Sequence, residues 1–309
     1  MIRIEGLTKY FTKKHPAIDN VSFDVNDGEI VGFVGLNGAG KTTTIRVASG
    51  VALPSSGKVS IDGQDIVEQK PQASRNIGWV PEFPNYEQNA KAKSLILYFA
   101  GFRGIDKVVA EKRAQELFEQ LSLTGNEGKK LREYSQGMKK RFSLAVALLP
   151  NPKNLLFDEI LNGLDPQGIH YIRSLMVDLK KQNKSVLLSS HILSEIETIS
   201  DRVVFIHQGK VIKIVSRAEL SAIGESGGVL RMVIPNLNED ALTFLRILGE
   251  VKVEGKDSVS LSGFVLDPTV ISSELIKRGF LLREFTFEKS NLEEYFFKLV
   301  GGAPKEAAK

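Results

Sequence analysis

Gly35-Leu36-Asn37-Gly38-Ala39-Gly40-Lys41-Thr42 fits the pattern G-x-x-x-x-G-K-[ST] and follows an apolar run, Glu29-Ile30-Val31-Gly32-Phe33-Val34, that reads as a buried strand. Glycines in such a loop let successive backbone N–H groups turn inward around a polyphosphate. Lys41 can then reach the β- and γ-phosphates, and the Thr42 hydroxyl can ligate Mg²⁺. Thr43 to Ala48 reads as a helix opening directly from the loop, and strand–loop–helix is the context that separates a phosphate cradle from a Gly-rich turn with a solvated lysine. The candidate nucleotide-binding set is therefore Gly35, Asn37, Gly38, Ala39, Gly40, Lys41, Thr42 and Thr43, with ATP as ligand and Mg²⁺ as cofactor.

A chain of 309 residues exceeds a single core and predicts two or three units. Charged residues at 25% and hydrophobic residues at 42% exclude a disordered chain. The net charge of +4 is spread over scattered lysines, which suits a solvated surface, so no nucleic acid is expected as partner. Without cysteine there is no disulfide partner, no thiolate-held zinc and no thiol chemistry. Met1-Ile2-Arg3-Ile4-Glu5-Gly6 lacks the charged lead and apolar stretch of an export signal, and no run approaches the ~18–20 apolar residues of a membrane span. Any membrane function has to come from a partner chain.

Ile2-Arg3-Ile4 and Ala17 to Val25 alternate like strands, and between them an aromatic, Phe11 or its neighbour Tyr10, is placed either to stack on an adenine ring or simply to pack. Pro54 to Gly57 reads as a loop, Lys58 to Ile61 as a strand, Asp62-Gly63 as a hairpin turn, and Ile77 to Val80 as a strand ending at Pro81-Glu82. From Asn85 to Pro150 the texture turns helical, with helices at Ala90 to Phe99 and Lys107 to Leu121 punctuated by Gly101, Gly104, Gly125 and Gly128. Ser135 then stands where an N-cap would open a helix through Leu149, which directs a positive helix end outward and suits an anion. Leu155-Leu156-Phe157-Asp158-Glu159 is an apolar strand ending in two carboxylates. Beside a phosphate loop, Asp158 suits the metal and Glu159 suits general-base work on the attacking water. Asn162 to Pro166 forms a turn that starts a helix running toward Gln182. Val186 to His191 is another buried strand, with His191 placed to hydrogen-bond a γ-phosphate oxygen as a second catalytic residue; His15, His170 and His207 show no ligand spacing.

Taken in order, these motifs resemble the ATP-binding subunit of an ABC transporter over roughly Ile2 to Val215, including the signature pentapeptide Tyr134-Ser135-Gln136-Gly137-Met138. The resemblance implies a P-loop NTPase core of ABC type, α/β with a helical insertion. It also implies that Ser135 and Gly137 contact the γ-phosphate of ATP held by Lys41 of a second ATPase subunit, a homodimer mate or close paralogue, and that Asp165 of the Leu-Asp turn belongs to the nucleotide-binding set. Three motifs depart from the common pattern: Gln136 and Met138 stand within the signature, Glu82 where a glutamine is usual, and Ile160 after the acidic pair. Glu82 remains an oxygen ligand for the metal beside Thr42 and Asp158, and it adds negative charge there. The Pro81-Glu82 and signature sequences are similar to the exporter subfamily whose integral-membrane permease is a separate chain, which places the subunit in the cytoplasm, peripheral on the inner face of the cell membrane. The rival reading is a soluble ABC-type ATPase acting on nucleic acid or the ribosome; the tandem cores or long coiled coil it requires are missing.

Residues 1–220 are thus expected to form the ATPase domain, with a helical subdomain at about 85–150, and residues 221–228 a linker. Residues 229–309 form a small α+β domain, β-α-β-β-α-β and ferredoxin-like, with strands at Val229 to Ile234, near Val251 to Val253, at Val259 to Leu261 and at Phe280 to Phe287, and helices at Glu239 to Leu248 and Pro268 to Arg278. Ser290-Asn291-Leu292-Glu293 reads as a capping box opening a last helix whose Leu292, Tyr295, Phe296 and Leu299 form one apolar stripe. That stripe is expected chiefly to complete the domain, which adds to contact between two copies.

Overall fold

The computed structural model describes residues 1–12, 14–226, 228–235, 237–289 and 291–301. The chain divides into two compact units, Met1–Val215 and Ser216–Lys309.

The first unit opens with β1 (Ile2–Tyr10), β2 (Pro16–Val25), β3 (Ile30–Val34), α1 (Lys41–Ala48), β4 (Ser56–Ile61), β5 (Gln64–Asp65), α2 (Lys70–Arg75) and β6 (Ile77–Val80). The helices α3 (Ala92–Phe102), α4 (Lys107–Gln120) and α5 (Gln136–Leu148) follow, then β7 (Asn154–Asp158), α6 (Pro166–Lys181), β8 (Ser185–Ser190), α7 (Leu193–Ile199), β9 (Arg202–His207) and β10 (Lys210–Ser216). Two sheets result: a four-stranded one in the order β2-β1-β4-β5 and a six-stranded one in the order β10-β9-β3-β8-β7-β6.

Period decides which strand goes where. In β1 and β2 buried and exposed residues alternate, as suits antiparallel strands with one wet face, whereas β3, β7 and β8 are buried at every position, as parallel strands covered on both faces must be. Ile45, Val47 and Ala48 of α1 sit in one cluster with Ile2, Ile4 and Val21 of the first sheet and Val31, Phe33, Leu156 and Leu187 of the second, so α1 is clamped between them. Each fully buried Phe or Ile there contributes about 1.5–3 kcal/mol of transfer free energy. Parallel pairing sets Val34 against Ser190 and Asp158 against Ser189, bringing the carboxyl ends of β3, β7 and β8 to one edge, where α/β sheets hold ligands.

Asp62 (φ 49°) and Gly63 (φ 81°) make the two-residue turn between β4 and β5, both left-handed as a hairpin of this length requires. In the helical region α3 runs past Gly101 to Phe102 and stops at Gly104 (φ 67°), where Ile105 N–H reaches back to Ala100 O. Glycine ends a helix where its backbone turns left-handed, and Gly101 does not. Around Phe142 of α5 the rings of Tyr86, Phe118 and Tyr134 pack at 5.3–6.4 Å.

The second unit comprises α8 (Arg217–Ser226), β11 (Val229–Val233), α9 (Glu239–Leu248), β12 (Glu250–Val253), β13 (Ser258–Ser262), α10 (Pro268–Lys277), β14 (Glu284–Glu288) and α11 (Leu292–Leu299). Its four-stranded sheet has the order β12-β13-β11-β14 with each neighbouring pair antiparallel, the arrangement of a ferredoxin-like fold. Leu230, Met232, Leu245, Leu261, Ile271 and Leu275 form its core.

Three expectations for this region change. Residues 221–226 are helical rather than a linker, because Ser216 and Glu219 exchange the two hydrogen bonds of a capping box, Ser216 N–H to Glu219 Oε2 at 2.7 Å and Glu219 N–H to Ser216 Oγ at 3.3 Å. β14 starts at Glu284 rather than Phe280, since Gly279 (φ 86°) and the bond from Phe280 N–H to Leu275 O belong to the close of α10. The last helix is capped by Asn291, whose side chain accepts from Glu294 N–H at 2.8 Å; Ser290 lies outside the described residues. Of the expected stripe, Leu292 and Phe296 are buried and α11 packs against α8, while Leu299 stays exposed.

Candidate functional site

The loop after β3 is shaped by what its glycines exclude. A Cβ on Gly35 would lie 2.3 Å from Ile206 O, and Gly38 (φ 80°) and Gly40 (φ 112°) are left-handed. Gly40 is the N-cap of α1 and offers no side chain to its first N–H groups, so those of Lys41, Thr42 and Thr43 keep the positive helix end open to an anion. Lys41 is buried and curls back over the loop, its Nζ donating to Gly35 O at 2.6 Å.

The acidic side of the site comes from β7 and β8. Asp158, the last residue of β7, is buried, and its Oδ1 accepts from Ser189 Oγ at 2.7 Å and Thr42 Oγ1 at 3.2 Å. Burial pushes the Asp158 carboxyl above its usual range and the neighbouring Glu159 charge adds to this, while the Ser189 and Thr42 hydroxyls and Arg46 pull it back. Glu159 follows in a left-handed conformation (φ 49°), its N–H donating to Ser189 Oγ at 3.0 Å. Its two carboxylate oxygens face two cations or donors: Oε1 is 3.2 Å from Lys41 Nζ and Oε2 is 3.0 Å from His191 Nδ1. Glu82, just beyond β6, is also pushed up, first by burial and then by Asp158 and Glu159, with Lys140 and Lys41 opposing.

Asn37, Gly38, Ala39, Gly40, Lys41, Thr42 and Thr43 line one cavity of about 350 Å³ together with Glu82, Glu159, Asn162 and His191. Gly35 and Asp158 lie at its margin, Gly35 bound to Lys41 and Asp158 to Thr42. Four expected residues do not line it. Phe11 is 64% exposed beyond β1, with the Lys9 ammonium 5.3 Å from its ring centroid. Ser135 caps α5, accepting from Met138 N–H at 3.2 Å, Gly137 lies within the first turn of that helix, and Asp165 caps α6, accepting from Gly168 N–H at 2.8 Å.

Two contributors escaped the sequence reading. Ser189 joins Asp158 to the backbone of Glu159; a serine pair inside an otherwise apolar strand was its signal. Lys140 donates to the carbonyls of Glu159 and Ile160, each at 3.2 Å, and of Asn162, and nothing in the helical periodicity of α5 marks it.

Hydroxyl and carboxylate oxygens are the donors that Mg²⁺ selects, and the raised Asp158 carboxyl is what a buried anion shows before a cation joins it. Among the described residues no group of three or more His, Cys, Asp or Glu is arranged to hold a metal.

A family model described as "ABC transporter" matches residues 18–162. The bacitracin transport ATP-binding protein BcrA of Bacillus licheniformis is 32% identical over 305 residues, 98% of this chain and 98% of that protein. The linearmycin resistance ATP-binding protein LnrL of Bacillus subtilis is 29% identical over 307 residues, covering 97% and 98% of the two chains. A solved ATP-binding subunit of an ABC transporter superposes with a TM-score of 0.67 at 28% identity, over 72% of this chain and 92% of that one. With a phosphate loop, an Asp-Glu strand end and a histidine drawn to one cavity, and with relatives similar over almost its whole length, the chain belongs to the ABC transporter family as an ATP-binding, ATP-hydrolysing subunit.

Proposed function

We propose that the chain hydrolyses ATP with Mg²⁺, closes head-to-tail with a second ATPase subunit around two ATPs, and drives a separate membrane permease in the direction of export. One observation carries the chemistry: both oxygens of Glu159 are directed within a cavity that also presents the phosphate loop, at Lys41 and at His191. The loop N–H groups and Lys41 bind the β- and γ-phosphates of the substrate. Thr42, Asp158 and Glu82 would hold Mg²⁺, which when bound neutralises charge on the phosphate oxygens. As ATP draws Lys41 toward its phosphates, Glu159 is released to take a proton from water as the water oxygen attacks the γ-phosphorus and the bond to ADP breaks; His191 donates to a γ-phosphate oxygen.

The dimer is supported by Ser135 and Gly137, which stand at the start of α5 away from their own chain's cavity and so suit a nucleotide held by another copy. Dependence on a permease is supported by the relatives' names, one a bacitracin transport and one a linearmycin resistance protein, and both favour export. No helix of the described residues is long and apolar enough to cross a membrane. An apolar surface fit for a membrane partner lies beside the site: a groove of about 500 Å³ lined by Trp79, Phe83, Tyr86, Phe99 and Phe102, with Glu82 and Asp158 at its inner end. Phe83 is 82% and Phe102 73% exposed there, and exposed rings grouped in one groove suit contact with another chain. The test is phosphate release by the chain with its copurified membrane partner, with Mg²⁺ and with chelator. Tight ATP binding without Mg²⁺-dependent release would overturn the proposal.

A further inference from the structure

The hydrolysis scheme leaves Lys140 without a part, although its contacts are the most concentrated of any lysine near the site. An ammonium carries three donors, and Lys140 directs them at the carbonyls of Glu159, Ile160 and Asn162. The turn so held also contains the bond from Asn162 N–H to Glu159 O at 3.2 Å. Glu159 itself is left-handed, a conformation that a non-glycine residue keeps only when its surroundings impose it. Its N–H is fixed from β8 by Ser189 Oγ and its C=O from α5 by Lys140, so the peptide units on both sides of the residue are anchored. Lys140 does not line the nucleotide cavity; it lines a neighbouring one that shares Glu82 and Asn162 with it. Burial lowers the Lys140 pKa, and the charges of Glu82 and Glu159 oppose that only in part.

We propose that Lys140 is a positioning residue for hydrolysis: by holding the carbonyls of residues 159, 160 and 162, it keeps the backbone of Glu159 in the left-handed state that aims its carboxylate at Lys41 and His191. This rests on the reading of Glu159 as the base. Lys140 also sits on the helix that Ser135 caps, so the signature and the base of one chain are joined by five residues of α5.

The experiment is steady-state hydrolysis by Lys140→Met, Lys140→Arg and Glu159→Gln chains, assembled with their partner and normalised to folded protein by circular dichroism. Misaiming a catalytic group by about 1 Å costs up to ~10²-fold, so Lys140→Met should lose about tenfold to a hundredfold in kcat while KM for ATP moves by less than about threefold. Lys140→Arg keeps the charge but exchanges a pyramidal head for a flat fork, and should recover only part of kcat. Added to Glu159→Gln, Lys140→Met should cause little further loss, because it acts through the group already removed. Normal kcat in Lys140→Met, full kcat in Lys140→Arg, or losses that multiply in the double variant would each overturn the proposal. Should the methionine chain fail to fold, the arginine chain decides alone. Turnover retained in Glu159→Gln would sink the base reading itself, whereas an inactive Glu159→Gln beside a fully active Lys140→Met would sink only the positioning role.

Discussion

Lys41 Nζ and Glu159 Oε1 are 3.2 Å apart with both side chains buried, so the cation proposed to bind phosphate is paired with the carboxylate proposed to activate water. A group that competes with phosphate for Lys41 and then acts on the phosphate's attacker makes a two-sided expectation for Glu159→Gln. Hydrolysis should fall by at least ~10²-fold, the usual range for loss of a general base. ATP affinity should be kept or improved, because a neutral amide competes less for the lysine. Phosphate release and nucleotide titration check this, and near-normal release would remove Glu159 from the role.

Ser189 ties together the two acidic residues. Ser189→Ala removes the hydroxyl that donates to Asp158 Oδ1 at 2.7 Å and accepts from Glu159 N–H at 3.0 Å. Asp158 Oδ1 still accepts from Thr42 Oγ1 and Glu159 N–H still donates to Ser189 O at 3.2 Å, so the loss is that of the hydroxyl's own bonds, about 0.5–1.5 kcal/mol, and the melting temperature should drop by a correspondingly small but measurable amount. Turnover should fall as well. A serine whose loss changes neither the melting temperature nor kcat has no such place in the site.

Glu82 crowds negative charge around Asp158 and Glu159. Glu82→Gln should therefore stabilise the metal-free chain and raise the Mg²⁺ concentration needed for half-maximal hydrolysis, the first read by thermal melting in chelator and the second by Mg²⁺ titration. An unchanged Mg²⁺ requirement would take Glu82 out of the metal site.

If two copies share their sites as proposed, mixing becomes diagnostic. Lys41→Ala chains and Ser135→Arg chains should each be inactive, and heterodimers of the two should regain activity at one of their two sites, since one pairing restores an intact loop facing an intact signature. Heterodimers that demonstrably form and stay inactive would count against completion in trans.

A chain ending at Val215 keeps every residue that lines the nucleotide cavity. It should bind ATP while sedimenting as a weaker dimer than the full chain. Loss of nucleotide binding in a truncated chain that remains folded would show that the two units are not independent.

Much of this was legible because period and punctuation carry it. The apolar runs at Ile30 to Val34 and Leu155 to Phe157 read as buried strands, and the structure pairs them parallel through β8, so the edge where they end brings Lys41, Asp158 and His191 near one another. In the C-terminal unit the chain order of elements, β-α-β-β-α-β, followed from short alternating runs set between stretches of helical spacing. Contacts between distant segments were not legible: Lys140 meets residues 159–162 from a different helix, and no local pattern encodes that meeting. The expected linker failed for a local reason, since Gly224 and Gly227-Gly228 outweighed the Ser216–Glu219 capping box that commits the preceding residues to a helix. Phe11 shows a third limit: it follows β1 ahead of the phosphate loop, but its ring is exposed and does not line the cavity.

The left-handed backbone at Glu159 sets activity and robustness against each other at a single position. Glycine there would relax a conformation that costs an L-residue roughly 1–2 kcal/mol, and it would relieve burial of a carboxylate as well. Heat tolerance used as the criterion for improving this protein would then favour chains that have lost their chemistry, and the most durable variants recovered would be those that no longer turn over ATP.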